Sequence, residues 1–355
     1  MHSPCTEPLD NPELCRLQFN PAQAMLLHCE AQAVAATGGP ECPGAASRAA
    51  LAARHLYRNL ESTQQAVVRH YADGQLAVLE CRGLVDPDPA PPPTHLPALP
   101  ALQGDPYCLL LAARSEILLH LVQHRAFAYD LDNDGQLIRF VGNFAGGGVQ
   151  PRPGEAPGQP AALSSHSGLA LGPHTEAPYH CAVHAQGGHS PAPSSLILSA
   201  RWNPLAEPTS IIPMAPVIDR LGAQAALALA SPSFDYSRSD CFLHGQGTGG
   251  SGVPLLQFDP HGGFALRYNS YRHTLNAQAS PAAGEALEAL ASALAATDVL
   301  RFALSPGEAL LINNYRALHC RDSVRDNRRL LIRLFGYSRF ATPIVLNADP
   351  LIVKG

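Results

Sequence analysis

A histidine and a glutamate two residues apart, with a second histidine far downstream, constrain the fold of this chain more than any other feature. The pair is His174 and Glu176, and the distant residue is His319. In a β-strand, side chains at positions i and i+2 point to the same side of the sheet, so the pair suits a strand. The second histidine must then come from another strand that lies beside the first. Two imidazoles and one carboxylate are the ligand set of non-haem Fe(II) sites, so the spacing predicts an oxygenase.

Composition restricts the class of protein. The chain has 355 residues, of which 46% are hydrophobic and 15% are charged, and its formal net charge is −5. This balance gives no basic surface for nucleic acid or for an anionic membrane, so we expect neither as a partner. The 33 prolines and 29 glycines indicate many turns and loops, as a barrel or jelly roll requires.

The cysteines and the N-terminal residues favour the cytoplasm. Nine cysteines are scattered along the chain with no CxxC pair, as expected of free thiols in a reducing compartment. The first residues show neither the charged nor the apolar region of a secretory signal. No apolar run reaches the roughly 20 residues that a membrane span needs. We therefore predict a cytoplasmic protein.

The chain is predicted to form a single domain, residues 1–355, in three parts. Residues 1–84 are expected to be mainly helical and to support the rest. Residues 85–104 are expected to form an extended proline-rich loop, because its run of prolines cannot continue a helix. Residues 105–340 are expected to contain the core and the metal site.

Short strands separated by turn signals dominate the later part of the chain. Helices are predicted at residues 21–36, 45–68, 107–124 and 281–297. Strands are predicted at residues 75–81, 126–130, 137–141, 195–200, 209–212, 253–258, 263–268, 308–313 and 330–337. Because the strands show no βαβ alternation, the pattern favours an α+β fold with mainly antiparallel strands. The predicted core is a double-stranded β-helix (jelly-roll or cupin-like), flanked by helices.

An Asp-Asn-Asp-Gly run at residues 132–135 separates two of these strands. The run is similar to the start of a calcium-binding loop, but the full twelve-residue pattern with its terminal glutamate is missing. We therefore predict a turn, which would join residues 126–130 and 137–141 as a β-hairpin.

Arginines follow the second histidine on a strand that is otherwise apolar. Residues 309–312 read as a buried strand before His319, and the next apolar strand carries Arg329 and Arg333. A buried strand has little reason to carry arginine unless a carboxylate binds to it. The planar guanidinium can hold a carboxylate with two hydrogen bonds. Metal ligands with an inward arginine are what a 2-oxo acid co-substrate requires.

The two metal-ligand segments and the arginine pair resemble those of a known family. Residues 173–180 are similar to the His-Thr-Glu-x-x-Tyr/Phe-His segment of the clavaminate synthase-like amino-acid oxygenases, a group within the TauD/TfdA-like Fe(II)/2-oxoglutarate dioxygenases. Residues 311–321 are similar to that group's Asp-Asn-Tyr/Phe-Arg-x-x-His-x-Arg strand. Arg329 and Arg333 keep the four-residue spacing of the family's arginines. The resemblance extends over roughly residues 70–340.

The resemblance implies roles for particular residues and a set of cofactors. The implied iron ligands are His174, Glu176 and His319, the implied co-substrate residues are Arg333, Arg329 and Thr209, and the implied substrate residues are Ser164 and Asn269. Arg333 would bind the distal carboxylate of 2-oxoglutarate, with Arg329 close by. The cofactors are Fe(II), 2-oxoglutarate as co-substrate, and O₂. The expected reaction is hydroxylation of a free or derivatised amino acid in specialised metabolism.

The sequence also departs from the family pattern. Asn313 stands where the group usually has aspartate. The loop between His319 and Arg329 is shorter than in typical members, which leaves Arg329 and Arg333 as alternatives for the co-substrate anchor. Members that act on arginine carry acidic residues near the strand at 263–268, and this segment carries none. Since a buried cation needs a carboxylate, a neutral or polar amino acid fits better as the substrate.

Other functions remain open at this stage. The same site would also suit a desaturase or cyclase that acts on an amino-acid-derived metabolite. A cupin-like metal enzyme that does not use 2-oxoglutarate would carry extra histidine ligands, for which His180 and His184 are the candidates. A non-catalytic binding protein would have lost the ligand triad or the co-substrate arginine, and the chain retains both.

Overall fold

The fold of the chain combines helices and strands. A helical layer packs on one face of a large β-sheet, and a smaller sheet packs on its other face. The structure is a computed structural model and describes residues 12–86, 88, 91–150, 163–179, 183–238, 249–258 and 263–355. The helices are α1 (Pro21–Ala35), α2 (Ala45–Arg58), α3 (Ser62–Ala72), α4 (Leu99–Gln103), α5 (Pro106–Leu121), α6 (Ala215–Leu229) and α7 (Pro281–Ala295). None of these helices is both long and apolar enough to cross a membrane.

The described strands form two main sheets. The strands are β1 (Leu14–Gln18), β2 (Val78–Arg82), β3 (His124–Tyr129), β4 (Arg139–Gly142), β5 (Leu171–His174), β6 (Ser195–Trp202), β7 (Thr209–Pro213), β8 (Phe234–Tyr236), β9 (Gly250–Val253), β10 (Leu256–Phe258), β11 (Phe264–Leu266), β12 (His273–Leu275), β13 (Leu300–Phe302), β14 (Ala309–Asn313), β15 (Ala317–Arg321), β16 (Leu330–Ser338), β17 (Val345–Ala348) and β18 (Leu351–Val353). The large sheet has the order β1-β2-β14-β6-β16-β3-β18-β17, with β4 also paired to β16. The smaller sheet has the order β13-β7-β15-β5.

Helix α5 lies at the centre of the helical layer. It begins at Pro106, where the Asp105 side chain accepts a hydrogen bond from the backbone N–H of Cys108 over 2.7 Å. Most of its residues are buried, as expected of a helix that is apolar on all sides. Helices α1 and α2 pack on one side of α5, and β3, β6 and β16 lie on the other. This packing covers one face of the large sheet.

A second core lies between the large sheet and the smaller sheet. It contains Leu198 and Leu331 from the large sheet with Ile211 and Ala317 from the smaller one. Burying these side chains holds the two sheets face to face. The edge of this core is where the candidate site lies.

The predicted mixture of helices and mainly antiparallel strands is confirmed, and several elements differ from prediction. The helix predicted at residues 45–68 is two helices, because the chain turns at Asn59 and α3 starts afresh after Glu61. There the Gln64 side chain accepts a hydrogen bond from the backbone N–H of Glu61 over 2.8 Å. Helix α4 lies within the predicted proline-rich loop. Strand β1 and helix α6 were not predicted.

The predicted hairpin around residues 132–135 is wrong. Strands β3 and β4 do not pair with each other; both pair with β16, which is long enough to accept them one after the other. Leu330–Arg333 of β16 pair with β4, and Phe335–Ser338 pair with β3. The turn is present, but the partner of both strands comes from the end of the chain. The parallel pairs β1–β2 and β3–β18 also depart from the antiparallel expectation.

The burial of Glu116 on α5 leads to a prediction about how stability depends on pH. The residue is fully buried, and neither carboxylate oxygen has a hydrogen-bond partner among the described residues. Burial, with Asp349 and Glu41 nearby, raises the pKa of Glu116 from 4.5 to about 8. Between these two values the unfolded chain is ionised while the folded chain holds the proton. The contribution of Glu116 to stability therefore falls as pH rises from 5 to 8.

We expect Glu116→Gln to raise the free energy of unfolding by about 4 kcal/mol at pH 8 and to have little effect at pH 5. Urea unfolding at both pH values measures the difference. The matched control is Glu285→Gln on α7, an exposed position. A gain of the same size at both pH values would contradict the assignment of a protonated buried carboxyl.

Candidate active site

Strands β5 and β15 bring the two candidate histidines together. The strands pair antiparallel in the smaller sheet, and His174 is the register partner of His319. The centres of the two imidazole rings are 4.1 Å apart. Glu176 follows β5, and its Oε1 lies 3.5 Å from Nε2 of His319. The ligand atoms of the three residues all lie within 4.8 Å of one another, which is close enough for one metal ion to reach all of them.

The protonation of these groups suits a cation. Nδ1 of His174 lies 2.7 Å from the carbonyl oxygen of Gly172, to which it can donate. This contact favours the tautomer that leaves Nε2 free as a ligand. Burial, together with the neighbouring His319, lowers the pKa of His174 to about 3. Burial by itself would raise the pKa of Glu176, but the guanidinium of Arg333 and the two imidazoles outweigh it and hold this pKa well below its usual range.

Asn314 and Thr175 fix the backbone of the glutamate segment. Oδ1 of Asn314 accepts a hydrogen bond from the Glu176 N–H over 2.8 Å, and its Nδ2 donates to the carbonyl oxygen of Pro193 over 2.9 Å. The N–H of Thr175 donates to the carbonyl oxygen of Tyr268 over 2.7 Å. Asn314 is fully buried, and its amide uses both its donor and its acceptor to hold the turn that carries Glu176. Asn314 is therefore a supporting residue of the site.

Two buried arginines lie at one end of the cavity beside Thr209. Nη2 of Arg329 lies 3.5 Å from Oγ1 of Thr209, at the limit of a hydrogen bond, while its Nε and Nη1 have no hydrogen-bond partner among the described residues. Arg321 donates through Nη2 to the carbonyl oxygens of Ser167 and Leu169, while its Nε and Nη1 also have no hydrogen-bond partner among the described residues. Burial lowers the pKa of Arg329 to about 10 and that of Arg321 to about 9. Buried cations with unused donors favour the binding of an anion.

Arg333 lies at the metal end of the same cavity. Its Nη1 donates to Oε1 of Glu176 over 2.7 Å. Its Nη2 is 3.8 Å from Oδ2 of Asp132. Asp132 also contacts Arg139, with 3.3 Å between Oδ1 and Nη1. Arg333 is thus already paired with two carboxylates, in contrast to Arg329.

The predicted site residues all line one cavity of about 120 Å³. Oγ of Ser164 accepts a hydrogen bond from the N–H of His166 over 3.2 Å. Nδ2 of Asn269 donates to the hydroxyl of Tyr179 over 2.9 Å. Ser164 and Asn269 line the cavity from two different parts of the chain.

Several residues of the cavity were not singled out from the sequence. Asp132 was assigned only to a turn, and Arg139 carried no motif. Arg321 belongs to the second metal-ligand segment, but no role was attached to it. The signal in each case is a charged residue beside or within an apolar strand, which indicates a buried partner.

The extra histidines considered for a cupin-like site do not join the cluster in the described part of the chain. His184 is exposed, and its Nδ1 lies 3.0 Å from Oγ1 of Thr342. His180 lies outside the described residues. Asn313, which replaces the usual aspartate, donates to the carbonyl oxygen of Leu76 and accepts from the N–H of Tyr315. An amide can make both contacts, so the substitution is accommodated.

One family model matches part of the sequence. Residues 246–335 match the Taurine catabolism dioxygenase TauD, TfdA family. The segment includes His319, Arg329 and Arg333. Over these residues the predicted resemblance to the TauD/TfdA-like family is confirmed. The comparison with curated proteins found no match.

Solved structures of amino-acid oxygenases share the fold. One is an asparagine oxygenase in complex with Fe(II), 2S,3S-3-hydroxyasparagine and succinate. It has a TM-score of 0.67 and 20% identity, and the match covers 90% of this chain and 92% of that chain. Another is the non-heme iron oxygenase OrfP in complex with Fe, succinate and (3S)-hydroxy-L-Arg, with a TM-score of 0.67, 20% identity, and coverage of 91% and 94%. OrfP with Fe and alpha-ketoglutaric acid gives a TM-score of 0.64 and 19% identity, and covers 90% and 93%.

The unused donors of Arg329 lead to a prediction about the stability of the ligand-free protein. A buried cation with unused donors costs free energy in the ligand-free protein, and a methionine of similar length would fill the same space. We expect Arg329→Met to raise the free energy of unfolding of the ligand-free protein by about 1 kcal/mol. Urea unfolding measures the effect. Arg301→Met, at an exposed position on β13, is the matched control and should leave stability unchanged. Destabilisation by Arg329→Met would show that the guanidinium is satisfied without a ligand.

Proposed function

We propose that this chain, whose residues 246–335 match the TauD, TfdA family, is an Fe(II)- and 2-oxoglutarate-dependent oxygenase that hydroxylates an amino acid. The observation that carries the proposal is the content of one cavity. His174, Glu176 and His319 converge there, and a buried arginine with unused donors lies in the same space. Together these groups supply what a metal ion and a dicarboxylate co-substrate need.

The donor set fits iron in particular. Two imidazoles and one carboxylate on one side leave the remaining positions of an Fe(II) ion open for other ligands. His174, Glu176 and His319 would hold the ion, and the contact of His174 with the carbonyl of Gly172 orients its ring. When bound, Fe(II) supplies the activation of O₂ that amino-acid side chains cannot provide.

Arg329 is the better candidate for the distal carboxylate of 2-oxoglutarate. Its Nε and Nη1 are unused among the described residues, and Thr209 lies beside it. Arg333 instead donates to Glu176. The far end of a metal-chelating 2-oxo acid has to lie away from the metal ligands, which suits the Arg329–Thr209 end of the cavity. Of the two arginines that the sequence left as alternatives, we therefore propose Arg329 as the co-substrate anchor and place Arg333 beside the metal ligands.

The same proposal includes the architecture and cellular setting. The large and the smaller sheet, packed face to face, would form the double-stranded β-helix, within a single domain at residues 1–355. The solved oxygenases match this chain over 90% or more of its length, which supports one domain. We propose a cytoplasmic enzyme that acts on a small molecule and has neither nucleic acid nor a membrane as partner.

The cavity supports a neutral or polar amino acid as the substrate. Ser164 and Asn269 offer a hydroxyl and an amide, and the cavity is also lined by Arg272. Arg267, which follows β11, lies behind the cavity wall, and its guanidinium stacks over the ring of Tyr315 at 4.8 Å. A guanidinium-bearing substrate would meet the cation of Arg272, whereas the amide of a substrate such as asparagine would not be repelled.

An anaerobic titration tests the proposal. Protein loaded with Fe(II) is titrated with 2-oxoglutarate, and the weak visible band of the bidentate chelate is followed. We expect the band in the wild type and its loss in His319→Ala. Arg329→Ala should need about a hundredfold more 2-oxoglutarate, because a charge-assisted pair is lost. Arg333→Ala should increase the required concentration of 2-oxoglutarate much less.

Exposed Arg301→Ala is the control and should titrate like the wild type. Absence of the band from intact wild-type protein would overturn the 2-oxoglutarate assignment and favour a metal enzyme of another type. If Arg333→Ala has the larger effect, the two arginines have exchanged roles. Succinate release is then measured with a panel of amino acids to identify the substrate. We expect more succinate with polar neutral amino acids than with arginine.

A further inference from the structure

Four charged side chains of alternating sign form one wall of the cavity. In order they are Arg139, Asp132, Arg333 and Glu176. Each oxygen of Asp132 faces one arginine, with Oδ1 3.3 Å from Arg139 and Oδ2 3.8 Å from Arg333. Each terminal nitrogen of Arg333 faces one carboxylate, with Nη1 2.7 Å from Glu176. The wall therefore connects a candidate metal ligand to a residue that does not itself bind the metal.

The two arginines of this wall are forced together by the sheet. Arg139 on β4 and Arg333 on β16 are register partners in adjacent strands, and 6% and 8% of their surfaces are exposed. Like charges directly opposite each other on neighbouring strands repel, and burial strengthens the repulsion. Asp132 is 5% exposed and lies between the two guanidinium groups. Its charge offsets the repulsion that the strand pairing creates.

A rigid turn holds Asp132 in this position. The carbonyl oxygen of Asp132 accepts a hydrogen bond from the N–H of Gly135 over 3.0 Å. Asn133 and Asp134 both have a φ of 55°, a conformation that asparagine and aspartate adopt more readily than other residues with a side chain. Nδ2 of Asn133 donates to the carbonyl oxygens of Gln136 and Ile138. The composition of the Asp-Asn-Asp-Gly run is thus explained by the conformation it adopts, without calcium.

We propose that Asp132 is a positioning residue that divides the charge of Arg333 between itself and Glu176, and so keeps Glu176 available to a metal ion. The inference rests on the proposed function, because Glu176 acts as a ligand only there. When Asp132 loses its charge, Arg139 repels Arg333 towards Glu176. The guanidinium can then hold both oxygens of that carboxylate in a two-bond pair, which competes with the metal.

The test is a charge-compensation cycle. Fe(II) affinity is measured anaerobically, by competition with a coloured chelator, for the wild type, Asp132→Asn, Arg139→Gln and the double variant. We expect Asp132→Asn to weaken Fe(II) binding about tenfold, the usual order for the loss of a partner of a metal ligand. The double variant should recover to within about twofold, because the repelling charge is gone. Arg139→Gln alone should bind Fe(II) at least as tightly as the wild type.

Metal-free thermal unfolding of the same four proteins is the second readout. Asp132→Asn should lower Tm, and Arg139→Gln in that background should raise it again. Asp105→Asn is the matched control, since Asp105 also lies near an arginine, 3.8 Å from Arg201, but does not line the cavity. It should leave Fe(II) affinity unchanged even where it lowers Tm.

The outcomes separate the inference from the proposed function. Fe(II) affinity in Asp132→Asn equal to that of the wild type overturns the inference alone, as does a double variant that binds no better than the single one. Strictly additive Tm changes at positions 132 and 139 also overturn it, whatever the metal result. Wild-type protein that binds no Fe(II) overturns the proposed function and the metal role of Asp132 together.

Discussion

The pairing of β5 with β15 is the constraint on which the candidate site depends. Its register sets His174 directly opposite His319, and Glu176 follows within two residues. A shift of one residue would turn one imidazole to the other face of the sheet, because side chains alternate along a strand. The neighbouring strand β7 also pairs with β15. It contributes Thr209 to the same cavity, so one sheet carries both the candidate ligand cluster and the residue that lies beside Arg329.

The cavity concentrates positive charge that the fold does not fully satisfy. Arg321, Arg329 and Arg333 are all buried, and burying a cation without a partner costs free energy. The described structure compensates Arg333 with two carboxylates but leaves two donors each of Arg321 and Arg329 without a hydrogen-bond partner. Such a difference is expected where a protein reserves one cation for a ligand and uses another to tune its own groups. If Arg329 binds the co-substrate as proposed, stability and binding are opposed at this residue, whereas the charge of Asp132 lowers the cost of burying Arg333.

Whether a feature of the fold or the site could be predicted depends on how far apart in the sequence its interacting residues lie. The sequence could indicate that His174, Glu176 and His319 lie together because their chemical types and spacing are distinctive. It could indicate that Arg329 and Arg333 belong to the same cavity because arginine is rare on buried strands. The hairpin at residues 132–135 was mispredicted because its turn signal is local, whereas the real partner of both strands is β16, about 200 residues away. The division of residues 45–68 into two helices depends on a capping contact at Glu61 that helical periodicity does not reveal.

By itself, the sequence determined which residues could hold a metal and an oxo acid, and which classes of partner the charge balance disfavours. It also determined that the chain would combine helices with mainly antiparallel strands, since these properties follow from residue type and short-range periodicity. Only the tertiary structure decided that Arg329 keeps free donors while Arg333 is paired with Glu176 and Asp132. The physical reason is that strand register and loops distant in sequence decide which residue lies next to a buried charge. A local sequence pattern does not specify that partner.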